Sequence, residues 1–414
     1  MLLLISMLQL FDIPTDMLYV ILYFCSARDL KAIRELSHYY RNKVNSVTVS
    51  LVKMLYGKYY PSLKQDDYFS KLEPSLSLLN ELTTPRVIIL RGFITYSFTI
   101  NKRVWKRCHD SRRDRGYFAM VYYLGDLYAI GTYSLFAAGT VERYNPFLDH
   151  WQTVQSLPHR IRSVGAAVLK DKLYVCGGIE AHTEVVRSNI YVFEESNSSS
   201  SSSNGTSSTT INIRKQQKWI TLEVRLLRPR YRHASVGYRG RIWIAGGCFS
   251  DFTVTNTVEA FDPLSNIVLP CASMLVRRDF ANLLVVNDRL YAVGGDIDDA
   301  GNLCKRTIEM YDEAHKEWVH VVEFPSYRRG FSTCAYEDMI YIFAGCIEES
   351  DLDSQHTLGN ADPEQYIQNT WDAFDTARGQ WVSNETVDYR QSMKMPPVDS
   401  WGCCSSYPPD RVVW

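Results

Sequence analysis

The 414-residue chain lacks a surplus of charge, with 45 basic side chains against 46 acidic ones. Nucleic acid and anionic membranes both select a basic surplus, so neither is expected as a partner. No apolar run approaches the ~20 residues that cross a bilayer as a helix. None of the ten cysteines lies in a CxxC pair, and they run from Cys25 to Cys404, too scattered for a small disulfide framework. Several sit inside apolar strand patterns (LYVC before Gly177, IFAGC ending at Cys346), the placing of buried reduced thiols in a cytoplasmic or nuclear protein. Two features point instead to secretion: an apolar start, MLLLISMLQLF, and glycosylation-like triplets at Asn197, Asn204 and Asn384. That start carries neither a basic leading region nor a small-residue cleavage site.

Marks of catalysis are missing as well. The nine histidines form no HxH or HxxxH pair suited to a metal. DIDDAGN at 296–302 lacks the bidentate Glu and spacing of a calcium loop. No glycine-rich phosphate loop follows a strand and opens a helix. The expectation is no catalytic residue, no metal and no cofactor.

What is abundant is aromatic: 27 Tyr, 17 Phe and 9 Trp, which favour strands. At this length two units or one repeat array are expected, and a repeat is present. Its core is an apolar strand ending in glycine: LYAIG (127–131), LYVCGG (173–178), IWIAGG (242–247), LYAVGG (290–295) and IYIFAG (340–345). The aromatics Tyr128, Tyr174, Trp243, Tyr291 and Tyr341 recur at intervals of 46, 69, 48 and 50 residues. An apolar strand precedes each glycine strand. Two follow it, one of the VEAFD or IEMYD kind and one with a tryptophan at 151, 219, 318 or 381; Val268 takes that place once. Four strands per repeat make a blade.

These residues resemble the kelch repeat over 86–414, and the resemblance implies a β-propeller. After removal of the 21-residue excess in the longest interval, the span divides into about 51 residues for each of six blades, against ~50 for a kelch unit. RVIILRG, ITYSFTI and RVWKRC at 86–108 read as second to fourth strands, and WGCCSSY at 401–407 as the first strand that completes them. Pairing the two ends closes the ring and removes exposed sheet edges. The excess includes SNSSSSSSNGTSSTT, too polar to order itself, and predicts a disordered insertion at about 195–213.

Residues 1–10 read as a tail, 11–56 as a helical module and 57–85 as a linker. Leu18, Ile21, Leu22 and Cys25 share one helix face, and Ser26–Asp29 has capping-box spacing ahead of Leu30, Ile33 and Leu36. This stretch resembles an F-box, with Tyr40 where a Trp is usual. The resemblance implies that Ile13, Pro14, Leu18, Ile21, Leu22, Leu30 and Ile33 dock on the Skp-type adaptor of cullin–RING ubiquitin ligases.

Strand alternation sends the blade-to-blade loops and the second-to-third loops to one face. Arginines crowd the former just ahead of the innermost strands: Arg115, Arg162, Arg230, Arg232, Arg278 and Arg329, with Tyr231 and Tyr327 among them. Guanidinium forks suit carboxylate or phosphate, so these eight residues are candidates to bind an acidic or phosphorylated peptide. The competing reading pairs the arginines internally with acids of the second-to-third loops: Asp251, Asp296, Asp298, Asp299, Glu348, Glu349, Asp351 and Asp353. The whole pattern is a mainly β protein, a six-bladed kelch propeller behind a small α-helical F-box module. It implies a non-catalytic substrate-recognition subunit of an SCF-type E3 ligase. The alternative is a kelch scaffold outside any ligase, for example a cytoskeletal one.

Overall fold

The computed structural model describes residues 86–134, 136–146, 148–201, 211–295, 307–325, 331–343, 371–382 and 402–407. The helical module expected over 11–56 and the linker over 57–85 lie outside them. Contacts divide the chain into two units, one of Met1–Arg86, Leu124–Asp126 and Pro408–Trp414, the other of Val87–Tyr123 and Leu127–Tyr407. The propeller is the second.

Six four-stranded antiparallel sheets follow one another. Blade I runs through Ala119–Tyr123, Asp126–Ile130, Val141–Asn145 and His150–Val154. Blade II has Gly165–Leu169, Lys172–Cys176, Asn189–Ser201 and Ile211–Arg225. Blade III has Ala234–Tyr238, Arg241–Ala245, Val258–Asp262 and Ile267–Cys271. Blade IV has Asn282–Val286, Arg289–Val293, Thr307–Asp312 and Glu317–Glu323. Blade V has Ser332–Tyr336, Met339–Phe343, Trp371–Asp375 and Gln380–Trp381. Blade VI joins the two ends of the array, with Gly402–Tyr407 beside Arg86–Arg91, Ile94–Thr99 and Val104–Arg107. The first strands lie each against the next, and the last touches the first, so the ring is closed. Closure pairs the sheet that would otherwise leave a raw edge.

Each blade packs its apolar face against its neighbour. Trp243, Val258 and Ala260 of blade III meet Leu283, Leu290 and Tyr311 of blade IV, and Val293, Ile308 and Leu284 of blade IV meet Ile340, Ile342 and Phe374 of blade V. The recurring tryptophan has two tasks. Across the third and fourth strands it stands opposite an aromatic: Tyr144 opposite Trp151, Phe193 opposite Trp219, Tyr311 opposite Trp318 and Phe374 opposite Trp381. Its indole N–H donates to a carbonyl that closes the preceding blade: Trp151 to His109 (3.1 Å), Trp219 to Gln155 (2.8 Å), Trp318 to Ala272 (3.0 Å) and Trp381 to Glu323 (2.9 Å). The outer strands of blades I, II, IV and V are thereby tied to the blade before; in blade III Val268 opposes Phe261, and in blade VI Trp105 opposes Phe98 but its indole N–H makes no such bond. Trp318→Phe keeps the ring stacking and orphans the Ala272 carbonyl. It should cost about 1–3 kcal/mol in urea unfolding.

The glycine that ends each second strand is fixed by the blade that follows. Gly246 has φ +67°, and a Cβ there would collide with the Arg278 carbonyl. Next to it, Gly247 donates its N–H to that same carbonyl at 2.7 Å.

The serine-rich segment departs from expectation. Blade II's outer strands stay paired until Ser201 stands opposite Ile211, so most of the 195–213 insertion is a hairpin extension. Residues 202–210 lie outside the described residues. An antiparallel ladder satisfies backbone N–H and C=O groups without a core. A tract too polar to bury itself therefore continues a pairing anchored by Phe193 and Trp219, whose rings lie 4.9 Å apart.

Candidate functional site

Blade-to-blade and second-to-third loops do share a face. Tyr231 and Cys248, one from each kind, exchange backbone hydrogen bonds of 3.0 and 2.8 Å. Ala181 donates to Arg160 O at 2.8 Å in the same way.

Three of the arginines expected to meet a target do not expose their side chains on this face. Arg115, Arg230 and Arg278 are buried, at 1%, 2% and 0% exposure. Each forms an ion pair with a third-strand glutamate: Arg115 with Glu142 at 2.9 Å, Arg230 with Glu259 at 2.9 Å and Arg278 with Glu309 at 2.7 Å. Each also donates to the glycine carbonyl that ends its blade's second strand (Gly131, Gly246, Gly294) and to a threonine carbonyl (Thr140, Thr257, Thr307). The glutamates in turn accept amides of the blade-to-blade loop, from Arg112, from Leu227, and from Leu275 and Val276. Burial drives all three arginine pKa values down, opposed by the paired glutamates. A guanidinium buried inside its own blade and paired there with a glutamate is out of a ligand's reach, so these three residues hold the fold.

Their partners differ from the acids the sequence suggested. The signal was Thr-Val/Ile-Glu at 140–142, 257–259 and 307–309, each following a blade-to-blade arginine that lies 16 residues before the strand-ending glycine. Of the loop acids, Asp251 lies 3.9 Å from Arg228, and the other seven fall outside the described residues. Blade II lacks the pair. Ile161 replaces the arginine and Tyr191 the glutamate, and both are fully buried. In blade V the 16-residue spacing falls on Arg328 and Ala344. Arg329 and Tyr327 lie outside the described residues, as do all seven adaptor candidates.

Two residues past each buried arginine position, the backbone turns left-handed: Tyr117 (φ 53°), Ser163 (54°), Arg232 (57°) and Phe280 (50°). These four are joined in series, Ser163 N–H to Tyr117 O (2.9 Å), Arg232 N–H to Ser163 O (2.9 Å) and Phe280 N–H to Arg232 O (2.8 Å). Non-glycine residues rarely adopt this conformation, and here a blade-to-blade hydrogen-bond chain imposes it. Tyr117 of blade I and Phe280 of blade IV meet at 5.4 Å.

Arg232 stands in this group, its guanidinium 4.7 Å from the Phe280 ring centre, 5.2 Å from Tyr231 and 5.9 Å from Tyr117. Its side chain is 30% exposed and lies 3.4 Å from the buried carboxylate of Asp279. Arg162 is half-buried, 3.7 Å from Glu184. Tyr231, expected at the surface, is instead buried with Ile179, Cys248 and Val254, because its loop is clamped to the second-to-third loop beside it. Phe136, Leu227, Phe252 and Leu275 stand exposed on loops of this same face. Sequence reasoning missed Tyr117, Phe280 and Asp279, because only the closed ring shows which loop position faces the mouth.

Residues 229–275 and 277–325 match the kelch motif. The propeller carries kelch motifs. Its relatives are kelch-repeat proteins as well. Kelch-like protein 23 of Homo sapiens is 24% identical over 220 residues, 53% of this chain and 36% of that protein. Kelch-like protein terF of Aspergillus terreus is 30% identical over 239 residues, 55% of this chain and 47% of that one. Alpha-scruin of Limulus polyphemus is 33% identical over 123 residues, 28% and 13% of the two chains. The chain therefore spans less than half the length of these relatives. Among the described residues, then, the buried arginines are architecture, and Arg232 is the guanidinium that reaches the mouth.

Proposed function

We propose that this chain is the substrate-recognition subunit of a cullin–RING (SCF-type) E3 ubiquitin ligase. Residues 11–56 dock on a Skp-type adaptor through Ile13, Pro14, Leu18, Ile21, Leu22, Leu30 and Ile33, and the kelch face binds the target protein. The observation that carries target binding is the mouth itself, a part-exposed Arg232 among aromatic rings, on a face whose loops also expose Phe136, Leu227, Phe252 and Leu275. An arginine with aromatic neighbours and an apolar surround is the composition of protein-interface anchors. The chain supplies no chemistry of its own. Its contribution is proximity, which raises the effective concentration of the target's lysines near the transferring enzyme.

Affinity capture tests the ligase half. The full chain should retain the adaptor and cullin, and Ile13→Asp with Leu22→Asp should abolish that capture while leaving target binding intact. Failure of the unmodified chain to retain adaptor and cullin sinks this reading. Arg232→Glu tests the other half and should remove target capture while adaptor capture persists.

A further inference from the structure

Arg232 and Asp279 form an unusual pair. Asp279 is 1% exposed, yet its ion pair to Arg232 is long, at 3.4 Å, and made through Oδ2 alone. The same Oδ2 accepts the Cys248 thiol at 3.6 Å, while Oδ1 is buried without a hydrogen-bond partner. The Nε of Arg232 is likewise buried and unpartnered. Among the described residues, the titratable groups facing this carboxylate are Arg232, Cys248 and Tyr231. Arg278, next in the chain, is committed to Glu309. A buried carboxylate with half its acceptors unused depends on one guanidinium for its charge.

We infer that the channel mouth is an oxyanion site with Arg232 as donor and Asp279 as buried counter-ion, so that capturing an anion is coupled to uptake of one proton on Asp279. The inference rests on the reading of this face as the target-binding face and adds the chemistry it selects. An incoming carboxylate or phosphate takes Arg232 as its own partner. Asp279 then faces a second negative charge in a site poor in water, and a proton from solvent on Oδ1 relieves both the repulsion and the unpaired oxygen. Burial already holds the Asp279 pKa above the ordinary carboxylate value, which favours that uptake. By linkage, whatever binds the protonated form better binds more tightly as pH falls. Asp279 is thus a positioning residue for Arg232 and sets the pH range in which the mouth accepts an anion.

The test uses the full chain with sulfate, which stays fully ionised between pH 5.5 and 7.5, followed by calorimetry. Sulfate should bind on the order of tenfold more tightly at pH 5.5 than at pH 7.5, with proton uptake seen as a buffer-dependent heat. Asp279→Asn should bind at both pH values with the tighter affinity, and Arg232→Gln should not bind. Equal affinity of the unmodified chain at the two pH values overturns the coupling, and so does a pH dependence that survives Asp279→Asn. Retention of sulfate by Arg232→Gln overturns the site. N-acetylglutamate amide and N-acetyl-O-phosphoserine amide distinguish the two sources of the anion by which displaces sulfate at pH 7.5. Displacement by neither overturns the site as one for protein side chains. These outcomes are independent of adaptor capture, so a failed ligase reading and a failed anion site give separate results.

Discussion

Arg278→Ile should destabilise the ring by about 3–5 kcal/mol, the cost of leaving a buried charge without its partner. Glu309 is 0% exposed and loses the guanidinium it pairs with, while the Gly294 and Thr307 carbonyls lose donors. The compensating change is written in another repeat. Blade II places Ile161 and Tyr191 where blade IV places Arg278 and Glu309, and those two pack without charge. Replacing a buried ion pair as a unit by apolar groups is often neutral, whereas removing one member is not. Arg278→Ile with Glu309→Tyr should therefore regain at least half of the loss. Urea midpoints of the two variants at pH 7.5 check this. A single variant within about 0.5 kcal/mol of the unmodified chain would mean that the pair holds nothing. The loss reaches the face too, because Glu309 accepts the amides of Leu275 and Val276 at 2.8 and 3.1 Å.

The same arginines show what the sequence could and could not disclose. Blade count, strand order and closure by the two ends were readable because each rests on a period-two apolar pattern repeated five times, with glycine and tryptophan as punctuation. Arg115, Arg230 and Arg278 were misread for a physical reason. A one-dimensional pattern places an arginine in a loop but does not show whether its side chain turns outward to solvent or back under the strands. The third-strand glutamates decide that, about 30 residues along the chain, and a glutamate inside an apolar strand is itself the clue, since it is almost never buried unpaired. Arg232 differs because it lies two residues beyond the buried position, where the left-handed turn redirects the chain. Half of the residues assigned to the face are instead buried in its scaffold.

His233 should make the ring acid-sensitive. It follows Arg232 at the start of blade III's first strand and is 5% exposed, with neither ring nitrogen hydrogen-bonded. Its ring lies against glycines of blade II, so close that a Cβ at Gly165 would be 2.6 Å from Nε2 and one at Gly177 2.7 Å from Cε1. Burial, reinforced by the Arg230 guanidinium, pushes its pKa down to about 3. The unfolded chain binds a proton at this histidine near pH 6.5. Between pH 6.5 and 3 the unfolded state therefore carries the extra proton, and stability is lost as pH falls through that window, at up to ~1.4 kcal/mol per pH unit. Between pH 7 and pH 5 the loss from this one group is about 2 kcal/mol. Glu259 and Asp279, whose pKa values burial raises, act in the opposite direction, because the folded state binds their protons more readily. They are common to both chains in a comparison of the unmodified protein with His233→Leu, so they cancel in the difference. Unfolding by urea at pH 7 and pH 5 should show the unmodified chain losing about 2 kcal/mol more than His233→Leu. Equal losses would show that the histidine is charged in the folded ring. Arg230 would then have to share its pocket with a second cation, which its pairing with Glu259 at 2.9 Å leaves no acid to balance.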